Sequence, residues 1–150
     1  MKKEFVMRGQ TPSTSGINEE VLNFSGHKKG YAYKMTDFEI YPSVSVGSNF
    51  AEIMASVTAS KTAMDPFNPN FEDEGLIATA MMGVGTDLGT GTSRFSSVVN
   101  DTFMITQDLI LKVLDTQGDP VNWQCRFESV KMTGPQEAVA NYKQFMISDE

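Results

Sequence analysis

The sequence has one cysteine, one histidine and one tryptophan in 150 residues. A lone cysteine, Cys125, excludes an intrachain disulfide and any cysteine-based metal site. Basic residues are few: 12 Lys and Arg stand against 19 Asp and Glu, a formal net charge of −7. The deficit is local. Between Lys61 and Lys112 there are seven acids and one base, Arg94. Binding to nucleic acid needs clustered cations that displace counterions from phosphates, so DNA or RNA binding is excluded as the main role. Long apolar runs are missing too; none approaches the roughly 18 residues of a membrane span, and no membrane partner is expected. In MKKEFVMRGQ, Glu4 and Arg8 break any apolar core, so no signal peptide is expected. Leucine is scarce, at six residues.

What is plentiful is β-branched. Valine (12) and threonine (13) are plentiful, and such side chains suit a pleated surface. The periodicity agrees. In VNWQCRF, Val121, Trp123, Cys125 and Phe127 alternate with Asn122, Gln124 and Arg126, which is a strand with one buried face. In FAEIMASVTAS, Ala51, Ile53, Ala55, Val57 and Ala59 share one face, and Met54 falls on the other. In YAYKMTDFEIY the apolar phase flips from Tyr31, Tyr33 and Met35 to Phe38 and Ile40, a one-residue slip that predicts a β-bulge near Thr36 and Asp37. Further strands are expected over 3–8, 20–25, 76–82, 98–106, 109–115 and 142–148. DTQGDP is a turn, with Gly118 free to take positive φ. TGPQEAVANY predicts one short helix of about two turns, opened by Pro135. At 150 residues the chain is one domain. These elements predict an all-β, antiparallel β-sandwich, jelly-roll-like in one version, with one short helix in the C-terminal region.

Four places invite chemistry. MMGVGTDLGTGTSRF carries Gly83, Gly85, Gly89 and Gly91, but no lysine follows the last glycine and no helix opens there. Neither the P-loop nor the dinucleotide fingerprint fits, and the stretch reads as a loop between strands. DPFNPNFEDEG (65–75) offers oxygen ligands at Asp65, Asn68, Asn70, Glu72, Asp73 and Glu74, yet lacks the calcium-loop pattern and reads as a solvated acidic loop. His27 lies in a turn among lysines with no G-x-S-x-G elbow anywhere. Cys125 and Trp123 alternate inward and read as packing. No catalytic residue, metal ligand or cofactor site is expected, and the chain is not expected to be an enzyme. Ten methionines are many; adjacent Met81 and Met82 cannot both face a core, and Met54 sits in polar phase. Exposed methionine is adaptable contact surface.

Several stretches together, FVMRGQT, VLNFSGHKKGYAYKM, VNDTFMITQDLIL, VNWQCRFESVKMT and NYKQFMISDE, resemble small virion structural proteins of marine bacterial viruses. The resemblance implies a non-enzymatic, capsid-associated role in the virion: decoration, cement or minor capsid protein. Its implied partners are copies of itself and other virion proteins such as the major capsid protein. The candidate contact residues are Phe5 and Met7 in a possible N-terminal arm (1–16), Phe67 and Phe71 in the proline-stiffened loop, and Tyr142 and Phe145 near the C-terminus. The arm has two open readings: an ordinary first strand, or a strand that pairs with a neighbour's edge. The alternative function is a carbohydrate-binding module for host surface glycans, in which Trp123, Tyr31 and Tyr33 would be exposed.

Overall fold

The computed structural model describes residues 3–24, 30–43, 51–59, 68–84 and 94–148. Eight strands run β1 (Glu4–Gln10), β2 (Asn18–Leu22), β3 (Tyr31–Pro42), β4 (Ala51–Thr58), β5 (Leu76–Val84), β6 (Arg94–Val99), β7 (Leu109–Asp115) and β8 (Val121–Lys131), followed by one helix, α1 (Gly134–Ser148). They form two sheets, β1-β8-β3 and β2-β7-β4-β5-β6, and every strand pair is antiparallel. The first strand pairs with the last, the second with the seventh and the fourth with the fifth. The third and sixth approach across the sandwich, where the Ser97 hydroxyl donates to the Phe38 carbonyl at 2.8 Å. That nesting of early strands on late ones is a jelly roll, with β6 added to the edge of the larger sheet.

Alternation sets the core. Val121, Trp123, Cys125 and Phe127 of β8 are all buried, as are Ile53, Ala55 and Val57 of β4. The alanines let the facing sheet approach. On β3 the register slips between Met35 and Asp37, which keeps Met35 before the bulge and Phe38 and Ile40 after it on the inner face. Gly118 turns β7 into β8 at φ 76, with its N–H donated to the Asp115 carbonyl at 2.9 Å. A Cβ there would lie 2.9 Å from the Thr14 carbonyl oxygen, so glycine is required twice over.

β1 completes its own sheet against β8 in this chain. Phe5 stacks on Phe127 at 5.3 Å between ring centroids and meets Tyr33 and Phe24 edge-on, closing one end of the core. The connector behind it is held as well. Thr11 N–H donates to the Val121 carbonyl, the Thr11 hydroxyl accepts from Val121 N–H, and Thr14 N–H donates to the Gly118 carbonyl.

Three expectations are corrected. Residues 142–148 are not a strand but the second half of α1, which spans 15 residues rather than two turns. The helical period is hidden there because the inward positions Glu137, Asn141 and Gln144 are polar. The strand expected over 98–106 lies earlier, at Arg94–Val99. It ends where the Asn100 side chain accepts from the N–H and hydroxyl of Thr102, turning the chain before a lone bridge from Ile105 to Tyr33. Met54 is not exposed but 6% accessible. β4 is an inner strand, so its outward side chains are shielded by rows from β5 and β7, here Met81 and Leu114.

Candidate docking surface

The surface that stands out is built by α1. The helix begins with a reciprocal cap. Thr133 N–H donates to Gln136 Oε1 at 3.1 Å and Gln136 N–H donates to Thr133 Oγ1 at 3.4 Å, a capping box that satisfies two otherwise orphaned donors. At about 100° per residue, one side of the helix carries Glu137, Ala140, Asn141, Gln144 and Ile147, and these are its buried and half-buried positions. Most are polar. The helix is therefore held to the sandwich by hydrogen bonds as well as by Ile147, which is buried in the core. The hydrogen bonds centre on fully buried Gln144: its Oε1 accepts from Thr106 N–H at 2.6 Å, Thr106 Oγ1 at 3.0 Å and Gln107 N–H at 3.1 Å. Its Nε2 donates to the Gln107 carbonyl at 3.1 Å. Nearer the start, Glu137 Oε2 accepts from Gly30 N–H at 2.5 Å, with Gly30 at φ 88.

The opposite side of the helix is apolar and faces solvent. Ala138, Val139, Tyr142, Phe145 and Met146 fall within one arc, and Val139 and Tyr142 are 68% and 67% exposed. An isolated surface helix normally has the reverse arrangement, apolar inward and polar outward. Scattered exposed apolar residues need no explanation, but a contiguous stripe does.

Beside this stripe runs a groove of about 890 Å³ between α1, the end of β8, the loop before β5 and the loop after β6. Ile77, Phe103 and Met132 are buried residues of its lining. One wall is the loop with exposed Phe71 and the acids Glu72, Asp73 and Glu74; the other is α1 with Val139, Lys143 and Gln144. The acidic loop is shaped by its own side chains. Asn70 Oδ1 accepts from Glu72 N–H at 3.0 Å and Asp73 Oδ1 from Gly75 N–H at 2.8 Å. Lys143 reaches across the Phe103 ring at 5.9 Å to the centroid, and no carboxylate of the described residues lies within ion-pair distance of it.

The residues singled out in the sequence therefore separate. Phe71 lies on one groove wall, and Tyr142 and Phe145 lie on the exposed arc of α1 beside it, so the fold brings these three to one side of the molecule. Phe5 and Met7 are half-buried against their own core at β1. Phe67, Asp65, His27 and the glycines Gly85, Gly89 and Gly91 lie outside the described residues. What sequence reasoning missed is Val139, Lys143 and Met146. A helical wheel over residues 134–148 would have grouped them, but the polar inward side hides the usual 3.6-residue signal.

The remaining candidates for chemistry are quiet. Burial, and secondarily the charge of Asp37, push the Cys125 thiol up to about 12, so it is not a thiolate nucleophile near neutral pH. Burial raises the Asp115 carboxyl above its ordinary value; the Gln117 N–H opposes that shift and nearby Asp119 adds to it. Among the described residues no three of His, Cys, Asp and Glu come together as a metal site. A second cleft of about 600 Å³ is lined by Gln10, Tyr41, Asn122, Trp123 and Gln124 among others. Trp123 is only 7% exposed, and its indole N–H has no hydrogen-bond partner. Tyr31 and Tyr33 are half-buried, so the three aromatics named for a sugar platform do not form an exposed one.

No family model matches the sequence, and no curated protein matches it. Among solved structures, the chain is similar to a protein of the Bacillus endospore appendages, which form disulfide-linked pili: 13% identity over 89% of this chain and 88% of that one, with a TM-score of 0.33. It is also similar to VP1 of Merkel cell polyomavirus, solved in complex with GD1a oligosaccharide (5% identity, 87% and 94% of the two chains, TM-score 0.36) and with 3′-sialyllactosamine (7%, 87% and 93%, 0.36). At TM-scores this low, the ground for function is the chain's own surface.

Proposed function

We propose that the chain is a non-enzymatic structural component of a virus particle, a capsid decoration, cement or minor capsid protein that works through protein–protein contacts. The observation that carries this reading is the inverted helix α1, whose apolar stripe faces outward beside an apolar groove. Such a surface is stable in water only at a cost in exposed apolar area, and covering it with another protein removes that cost. The jelly-roll topology supports the reading as a fold that viral capsid domains use, although fold alone does not assign function. The net charge of −7 favours a place away from packaged nucleic acid. The test is mass-spectrometric quantification of the chain in density-banded particles from a culture producing the virus. Stoichiometric recovery with the particle band supports the proposal. Recovery only in the soluble fraction overturns it.

The second cleft favours the alternative of glycan recognition. Exposed Tyr41 and the amides of Gln10, Asn122 and Gln124 combine a ring face with groups that both donate to and accept from sugar hydroxyls, beside the buried Trp123 ring. Trp123 is the only tryptophan, so its emission is a direct readout. A saturable change on adding neutral oligosaccharides would favour this reading, and no change at millimolar sugar would remove it.

A further inference from the structure

We infer that α1 and its groove form a two-fold interface between two copies of this chain. The inference rests on the assembly reading for its surface and names the partner. The first ground is that knob and hole lie side by side. The outward arc of α1, led by Val139 and Tyr142, borders the groove whose lining includes Ile77, Phe103 and Met132. A two-fold interface requires a surface to be complementary to itself, and an apolar stripe beside an apolar-lined groove offers both partners of such a contact.

The second ground is charge. The loop wall carries Glu72, Asp73 and Glu74, while the facing side carries Lys131 on β8 and Lys143 on α1. None of the five makes an ion pair with another described residue. A two-fold axis running along the groove exchanges the walls, so the acidic wall of one copy meets the lysines of the other, twice per dimer. Electrostatic complementarity of this kind fixes register and suppresses wrong pairings. The apolar stripe supplies the contact area, and the five charges set which way round the copies meet.

The experiment is sedimentation equilibrium of the full chain and its variants over a range of concentrations. The wild type is expected to dimerise. Tyr142→Asp and Val139→Asp, both at exposed positions, are expected to weaken the dimer roughly a hundredfold, as at the centre of an interface, with unchanged circular dichroism and, at dilutions where every variant is monomeric, an unchanged thermal midpoint. Lys143→Glu alone, and Glu72→Lys with Glu74→Lys, each place like charges at both contacts and should weaken self-association about tenfold. Mixed one to one, these two variants restore opposite charges at both contacts, and the heterodimer should form with near wild-type affinity. A wild type that stays monomeric at about 100 μM, well above a Kd of about 1 μM, overturns the inference. So does a mixture no tighter than its components. A monomeric chain that still bands with particles refutes the dimer alone and leaves the virion reading intact.

Discussion

Replacing Gln144 with leucine should release α1 from the sandwich. Gln144 is fully buried and bonds the segment between β6 and β7 through both ends of its amide. Leucine removes an acceptor of three hydrogen bonds and a donor of one. Two backbone N–H groups, of Thr106 and Gln107, then lose their partner, and the Gln107 carbonyl loses its donor. Each buried group left unsatisfied costs about 1–3 kcal/mol, although part is recovered where water reaches half-buried Gln107 and where leucine adds apolar contact, so the net cost is about 2–4 kcal/mol. Because these hydrogen bonds join α1 to the sandwich rather than strand to strand, the loss is local first. Urea unfolding should show a lower midpoint. Hydrogen exchange should show α1 amides losing protection more than those of β8, which lies at the centre of its sheet. A midpoint shift worth less than about 0.5 kcal/mol, with α1 protection unchanged, would refute the claim that hydrogen bonds dock this helix.

Trp123→Ala should cost about 3–5 kcal/mol in urea unfolding, the usual range for a buried large aromatic, and a shift within about 0.5 kcal/mol would mean the ring does not pack as described. Gly9→Val should disturb the same ring, because a Cβ at Gly9 would lie 3.0 Å from Trp123 Cζ2; the expected outcome is a shifted tryptophan emission maximum with a lowered thermal midpoint. Cys125 should resist a thiol reagent in the folded chain at pH 8 and react once unfolded. Its folded pKa is about 12, above the ordinary 9.0, so the thiol's contribution to stability is complete below pH 9 and is lost as pH rises towards 12. Cys125→Ala should flatten that part of the stability profile.

The strands were legible where alternation was clean and burial one-sided. β8, β7 and the bulge in β3 follow from the order of apolar and polar residues alone, because a period of two leaves little choice of face. β4 was legible as a strand but not in its burial, since neighbours on both sides shield an inner strand's outward residues such as Met54. The helix was harder. Capping residues Thr133 and Gln136 and the proline at 135 mark its start, but its inward face is Glu137, Asn141 and Gln144, which pattern reading assigns to solvent. What they bond to, Gly30 and the 106–107 backbone, lies more than 35 residues away in sequence. Phe71, Tyr142 and Phe145, singled out in the sequence as contact candidates, are all exposed. That they fall on one side of the molecule is a property of the jelly roll, which brings the loop before β5 and the segment after β8 to the same end.

The most direct test of the assembly account is a density map of the purified particle at a resolution that shows side chains. The account predicts this jelly roll in the particle with Val139, Tyr142 and Met146 of α1 covered by another polypeptide. A map in which the chain is present and that stripe of α1 faces solvent in every copy would contradict it.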